Sequence, residues 1–337
     1  MIDLRSDTVT KPGKEMLEQM INAEVGDDVY GEDRTVNRLE SMAAEMFGMD
    51  AALFCSSGTM TNQIAINAHT KPGDEVICDR LAHIYFYEGG GIAKNSGASV
   101  ALLSGNRGRF TSTDVEAAIC PDDIHRPITS LVAVENTVNK GGGACWDFNE
   151  LKKISYLCSE KGISFHMDGA RIFNAITETG ETAKQYGEIF DSISICLSKG
   201  LGAPVGSLLL GNSDFIRRSR RIRKVYGGGM RQAGFLAAAG IYALENNIKR
   251  LGEDHKRARG IGKVLETLPY VEEVVPVETN ILIFRLKDSI TEKEFLVKLK
   301  GKGILATAFG PQTIRFVTHL DFTEEMLHRT VEILKSI

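Results

Sequence analysis

Short apolar runs alternate with segments of helical spacing through most of the chain. Residues 35–48 have helical periodicity and stop at a glycine. Ala51-Ala52-Leu53-Phe54-Cys55 then reads as a strand, and Ser56-Ser57-Gly58-Thr59 opens a helix running to about Ala68. Further strands are predicted at 74–78, 99–103, 130–135 and 164–168, with a helix over about 148–161 between the last two. Two more follow at 192–196 and 206–210. Too little chain separates this last pair for a crossover helix, so they read as antiparallel neighbours. The rest of the series, short buried strands alternating with helices, predicts a mostly parallel sheet covered on both faces, an α/β fold.

A basic helix is expected from about Asp214 to Tyr226 and an Ala-rich one over about Arg231–Asn246. Beyond Arg250 the pattern changes. A long helix to Leu268 precedes strands at 271–286, a helix near 291–302, strands near 304–318 and a last helix from Thr323. The expected organisation is a large domain over 1–248 and a small C-terminal α+β domain over 249–337. There is no internal repeat or low-complexity tract.

Composition narrows the function classes. The 337 residues carry a net charge of −4, which gives no general footprint for nucleic acid. The basic run Arg217–Lys224 therefore reads as a solvated or interface helix face. No apolar run is long enough to suggest a membrane span, and the first residues have no signal-peptide core, so a cytoplasmic protein is expected. Six scattered cysteines without a CxxC pair fit reduced, mostly buried thiols rather than a zinc site. Glycine is in surplus: 34 against 8 prolines.

Three local features carry chemistry. Lys199, in Leu197-Ser198-Lys199-Gly200-Leu201-Gly202, directly follows a buried strand. Burial there would make it nucleophilic; the plain alternative is a loop lysine. Asp168 ends the strand Ser164–Asp168, where ligands gather in α/β sheets. It suits a partner for a protonated pyridine nitrogen, or else it caps the next helix. Gly58 and Thr59 open a helix and could cradle a phosphate on their N–H groups, or follow an ordinary N-cap. Together, phosphate cradle, strand-end aspartate and strand-end lysine make a pyridoxal phosphate site in its usual chain order.

With these residues in view, the chain resembles the low-specificity L-threonine aldolases, fold-type I pyridoxal phosphate enzymes of the threonine aldolase/beta-eliminating lyase family. The matching stretches include Asp3-Leu4-Arg5-Ser6-Asp7-Thr8, Asp27-Asp28-Val29-Tyr30-Gly31-Glu32-Asp33, His166-Met167-Asp168-Gly169-Ala170-Arg171, Leu197-Ser198-Lys199-Gly200-Leu201-Gly202 and Gly227-Gly228-Gly229-Met230-Arg231-Gln232. They are spread across residues 1–245, and Arg315-Phe316-Val317-Thr318-His319 is the clearest piece after that. The resemblance implies that Lys199 carries pyridoxal 5'-phosphate, Asp168 pairs with its ring nitrogen, and His83 stacks on the ring and takes part in proton transfer. Gly58 and Thr59 would bind the phosphate. Arg171 would lie near the phenolic oxygen and the substrate carboxylate, with Ser6 and Arg315 completing the carboxylate site. Arg231 and Tyr30 would reach a neighbouring active site, so a homotetramer built from dimers, with sites at its interfaces, is implied. No metal is implied.

His125 matches a family histidine near the substrate hydroxyl, although its surroundings also fit an exposed loop. One departure stands out: the family commonly reads Glu-Asn-Thr-His-Asn where this chain has Glu135-Asn136-Thr137-Val138-Asn139. Valine can neither donate nor accept a proton, which leaves substrate preference and acid–base arrangement open. The expected activity is cleavage of L-threonine or L-allo-threonine, and of other β-hydroxy amino acids, to glycine and an aldehyde. Rival readings are a β-eliminating lyase releasing pyruvate and ammonia, and a non-catalytic pyridoxal phosphate-binding protein.

Overall fold

The computed structural model describes all residues, Met1–Ile337. The apolar runs do become strands. After a short β1 (Ile2–Asp3) come β2 (Ala51–Cys55), β3 (Glu75–Asp79), β4 (Ser99–Leu103), β5 (Thr129–Glu135), β6 (Ser164–Gly169), β7 (Ser192–Cys196) and β8 (Ser207–Gly211). β2 to β8 form one seven-stranded sheet in the order β2-β8-β7-β6-β5-β3-β4. The inner strands pair in parallel, and β8 runs antiparallel to both β7 and β2, as the short connection from β7 requires. Because β7 and β8 are buried throughout, they read as continuous apolar or small-residue runs rather than alternating ones.

Helices cover the sheet. Arg34–Phe47 buries Val36, Leu39, Ala43 and Phe47 on one face, starts at an Asp33 cap and ends at Gly48 in the left-handed region. The main core of 43 buried residues lies between such helices and the sheet. The short helices Lys14–Ile21, Ser112–Ala118, Ile172–Thr179 and Ala183–Gly187 add to those expected, each too brief for a periodic pattern to stand out. The Ala-rich helix starts later than expected, at Gly234.

A second core of 18 residues lies towards the C-terminus. There β9 (Val271–Val274), β10 (Ile281–Leu286), β12 (Thr307–Gly310) and β13 (Thr313–Val317) form an antiparallel sheet in the order β12-β13-β10-β9, and β11 (Ile304–Leu305) pairs in parallel with β1. Ile2 and Leu4 belong to this second core, so the N-terminal strand is bound to the C-terminal unit while Asp7 and Thr10 lead back towards the large sheet.

Candidate active site

Parallel strands present their C-terminal ends along one edge, and the loops leaving that edge are where a ligand meets the sheet. The chain leaves β2 into Ser57–Thr59, β3 into His83, β5 at Glu135, β6 at Asp168 and β7 into Lys199. In this way, residues spread over more than a hundred positions are gathered along one line. Gly58 is the first residue of the helix Gly58–His69, and Ser57 caps it by accepting the Met60 N–H. The Gly58 and Thr59 N–H groups donate to nothing in the chain, which leaves an anion site open at the positive end of the helix. Glycine is required at 58 for packing as well: a Cβ there would lie 2.6 Å from Cys196 Sγ.

Asp168 is buried, and both its oxygens accept hydrogen bonds, Oδ2 from Asn62 Nδ2 at 2.9 Å and Oδ1 from the Ala170 N–H at 3.1 Å. Asn62 also donates to Glu88 Oε1 at 3.0 Å, and Gln63 donates to Glu88 Oε2 at 2.7 Å. Glu88 Oε1 faces His83 Nδ1 at 3.1 Å. One ring nitrogen of His83 and one oxygen each of Glu88 and Asp168 lie within 4.8 Å of one another. Burial works against protonation of His83, but the Glu88 hydrogen bond and the charges of Asp168 and Glu135 outweigh it and raise its pKa. Beneath this network His166 is fully buried and pushed down to about 4 by loss of solvent, hence neutral. Its Nε2 faces Asn62 Oδ1 at 3.3 Å and so fixes the amide that supports Asp168. Glu135, beside Asp168 in the β5–β6 register, is pushed up to about 7 by burial and by that neighbour, against the N–H groups that favour its ionised form.

Lys199 sits in the loop after β7, half-buried, with its carbonyl accepting from Thr10 Oγ1 at 3.0 Å. Its amino group has no hydrogen bond or ion pair, although its charge is felt by Asp7. Asp7 grips Arg171 with two bonds, Nε to Oδ2 at 2.7 Å and Nη2 to Oδ1 at 2.6 Å, and both groups are buried. This pairing overcomes the burial of Asp7 and holds its carboxyl at about 2.

Arg315, on β13, has no such partner. Its Nη1 donates to Asn139 Oδ1 and its Nη2 to the Arg5 carbonyl, each at 2.8 Å, while its buried Nε has no partner at all. Its guanidinium lies 4.6 Å from the Phe309 ring centroid. Burial and the nearby Arg171 push it down to about 10. A half-buried cation held only by neutral groups is a ready site for a carboxylate.

The remaining expected residues divide. Ser6 caps the turn Asp7–Val9 through Thr8, beside the Asp7–Arg171 pair. Tyr30 and Arg231 lie together on the exposed surface, with Arg231 bonded to Asp27 at 2.9 Å and 6.0 Å from the Tyr30 ring centroid. His125 precedes β5, so it lies at the opposite edge of the sheet, exposed and bonded to Asp123 at 2.8 Å. A single chain does not bring it to Lys199. Val138 is buried and would be struck by a Cβ at Gly108, 2.6 Å from its Cγ1, so in this chain the position serves packing. Asp7, Asn62, Glu88, Glu135 and Asn139 were missed. Asp7, Glu135 and Asn139 lie inside the family stretches, whereas Asn62 and Glu88 have no local signal beyond being polar residues in apolar surroundings.

Residues 3–289 match the family model described as beta-eliminating lyase. The chain is 44% identical over 330 residues to the low specificity L-threonine aldolase of Escherichia coli (strain K12), covering 97% of this chain and 96% of that one. It is 42% identical over 301 residues to the low specificity L-threonine aldolase of Saccharomyces cerevisiae, covering 88% and 77%. A threonine aldolase structure from Leishmania major superposes with a TM-score of 0.87 at 24% identity, covering 100% of this chain and 99% of that one. A serine palmitoyltransferase from Sphingomonas wittichii superposes with a TM-score of 0.76 at 16% identity, covering 99% and 86%. At these identities the two superpositions speak for the shared fold alone.

Proposed function

The chain belongs to the low-specificity L-threonine aldolases of the beta-eliminating lyase family, and we propose that it splits the Cα–Cβ bond of L-threonine and L-allo-threonine, and of other β-hydroxy amino acids, to glycine and an aldehyde. The site suits pyridoxal 5'-phosphate: an unpaired lysine amine, a buried carboxylate held by donors, and free N–H groups at a helix start stand on one sheet edge. Lys199 would hold the cofactor, Asp168 its ring nitrogen, Gly58 and Thr59 its phosphate, and His83 its ring face, with Arg231 of a neighbouring subunit in support. Bound there, the cofactor supplies a sink for the electron pair left on Cα when the bond breaks.

The side chains then orient the substrate. Arg315 takes its carboxylate, and with one end of the amino acid fixed, the bond to be broken is set by orientation rather than by a strong acid. Arg171 is immobilised by Asp7 and contributes its charge from a fixed place. His83 keeps Nδ1 on Glu88, which leaves Nε2 to exchange a proton with the β-hydroxyl. Valine at 138 can neither give nor take a proton, so that position does no acid–base work.

The unpaired Arg315 carries this reading, because a half-buried guanidinium without a counter-ion, its buried Nε unbonded, awaits an anionic ligand. The exposed pair Tyr30 and Arg231 supports a homotetramer of dimers with sites at the interfaces. No helix is long and apolar enough to cross a membrane, and all six cysteines are free, which supports a cytoplasmic enzyme. Products from threonine and allo-threonine, assayed side by side on cofactor-loaded protein, test the proposal. Glycine and acetaldehyde are expected; a keto acid and ammonia, or no glycine, would overturn it.

A further inference from the structure

We infer that Glu135 is a positioning residue: one buried carboxylate ties the histidine at the cofactor face to the arginine that takes the substrate carboxylate. Glu135 ends β5 and is buried. Its Oε2 accepts the backbone N–H of His83 at 2.8 Å, and its Oε1 accepts the backbone N–H of Asn139 at 2.9 Å. Asn139 is itself buried, and its Oδ1 receives Arg315 Nη1 at 2.8 Å. The Glu135 carbonyl accepts the indole N–H of Trp146 at 2.9 Å, which pins the backbone from which the carboxylate projects. Three segments distant in sequence, at 83, 139 and 315, therefore meet on one side chain and its neighbour.

The residue type fits this task and little else. Two N–H groups on different segments need an acceptor on each arm. A carboxylate has one on each, whereas glutamine would turn a donor towards one of the two. A buried carboxylate beside Asp168 is also electrostatically costly, so an apolar residue would serve packing better.

The role of Arg315 in this inference rests on the proposed function; the two backbone contacts do not. The test uses Glu135→Gln and Asn139→Ala, singly and together. In loaded enzyme, Glu135→Gln is expected to raise KM for threonine about tenfold, more than it lowers kcat, the scale of one lost hydrogen bond to a charged group. In the Asn139→Ala background, where the path to Arg315 is already cut, it should raise KM no further. In cofactor-free protein, amide exchange at His83 or Asn139 should quicken while the C-terminal sheet keeps its protection. Unchanged exchange at both amides, or a KM effect that adds in full to that of Asn139→Ala, overturns the brace. If Glu135→Gln does not fold, Glu135→Asp, one methylene too short to reach both N–H groups, decides: quickened exchange at His83 or Asn139 in the folded protein supports the brace, and unchanged exchange at both overturns it. A wild-type protein that forms no glycine from threonine defeats the proposed function alone, because the exchange measurement still decides the brace.

Discussion

Two charges set the chemistry at the scale of single residues, the half-buried His83 and the buried Asp7, and each has a pH signature. His83 is held protonated above its ordinary value by Glu88, Asp168 and Glu135. Its pairing therefore contributes fully below the unfolded pKa of 6.5 and is lost as pH rises through the higher folded value. Glu88→Gln should lower the His83 midpoint in an NMR titration of the cofactor-free protein; an unmoved midpoint would show that Glu88 is not the dominant partner. Asp7 behaves oppositely. Its carboxyl is held at about 2, so its contribution is present above 3.8 and disappears as pH falls through about 2. Asp7→Asn leaves Arg171 buried without its counter-ion and should cost about 3–5 kcal/mol in urea unfolding. A loss below about 1 kcal/mol, the range of exposed pairs, would mean that Arg171 finds another anion.

Among the elements, the helix Gly58–His69 shows how a glycine can answer to two demands. The family resemblance implies a phosphate cradle at Gly58, and the fold adds that its α-carbon packs on Cys196 at the end of β7. Gly58→Ala should therefore cost about 1–3 kcal/mol by overpacking and shift the helix start, seen as a lower melting temperature and weaker cofactor retention. Cys196→Ala in the same chain should restore much of the stability, since the clash is with the sulfur. Failure of this rescue would place the fault in the backbone instead. Gly206 is the related case one turn later: its φ of 125° lies in a region side chains rarely adopt, and a Cβ there would meet Phe54 at 2.7 Å. The loop between β7 and β8, residues 197–206, thus explains part of the glycine surplus around Lys199.

On the scale of the whole molecule, the N-terminal segment links the two cores. Leu4 is fully buried in the C-terminal core, exchanges backbone bonds with Leu305 and Val317, and stands three residues from Asp7. Leu4→Ala should cost about 2–5 kcal/mol in denaturant unfolding and loosen the carboxylate site as well, read as a higher KM for threonine. A stability loss with KM unchanged would separate the core from the site. Assembly is the other question at this scale. Arg231→Glu, at a side chain 52% exposed, should weaken the proposed oligomer, and sedimentation velocity would show it. An unchanged sedimentation coefficient would remove Arg231 from the interface.

Element order and type were legible in the sequence because burial and turn chemistry leave local marks. The apolar runs of β2 to β7 and the glycines flanking Lys199 can be read without a partner, and so the lysine, Asp168 and the helix start could be named from pattern. Partnerships were not legible. Arg171 and Asp7 are 164 positions apart, and nothing near either names the other. The Glu88–Asn62–Asp168 network and the Glu135–Asn139–Arg315 path exist only once the sheet order sets β3 beside β5 and β5 beside β6 and the C-terminal unit lays β13 against them. His125 shows the same limit from the other side: a motif match suggested a site residue, and the direction of β5 put it at the far edge. The sequence determined which groups are available, through local burial and backbone freedom. Only the tertiary structure decided which of them pair, because these hydrogen bonds and ion pairs join residues more than a hundred positions apart in the chain.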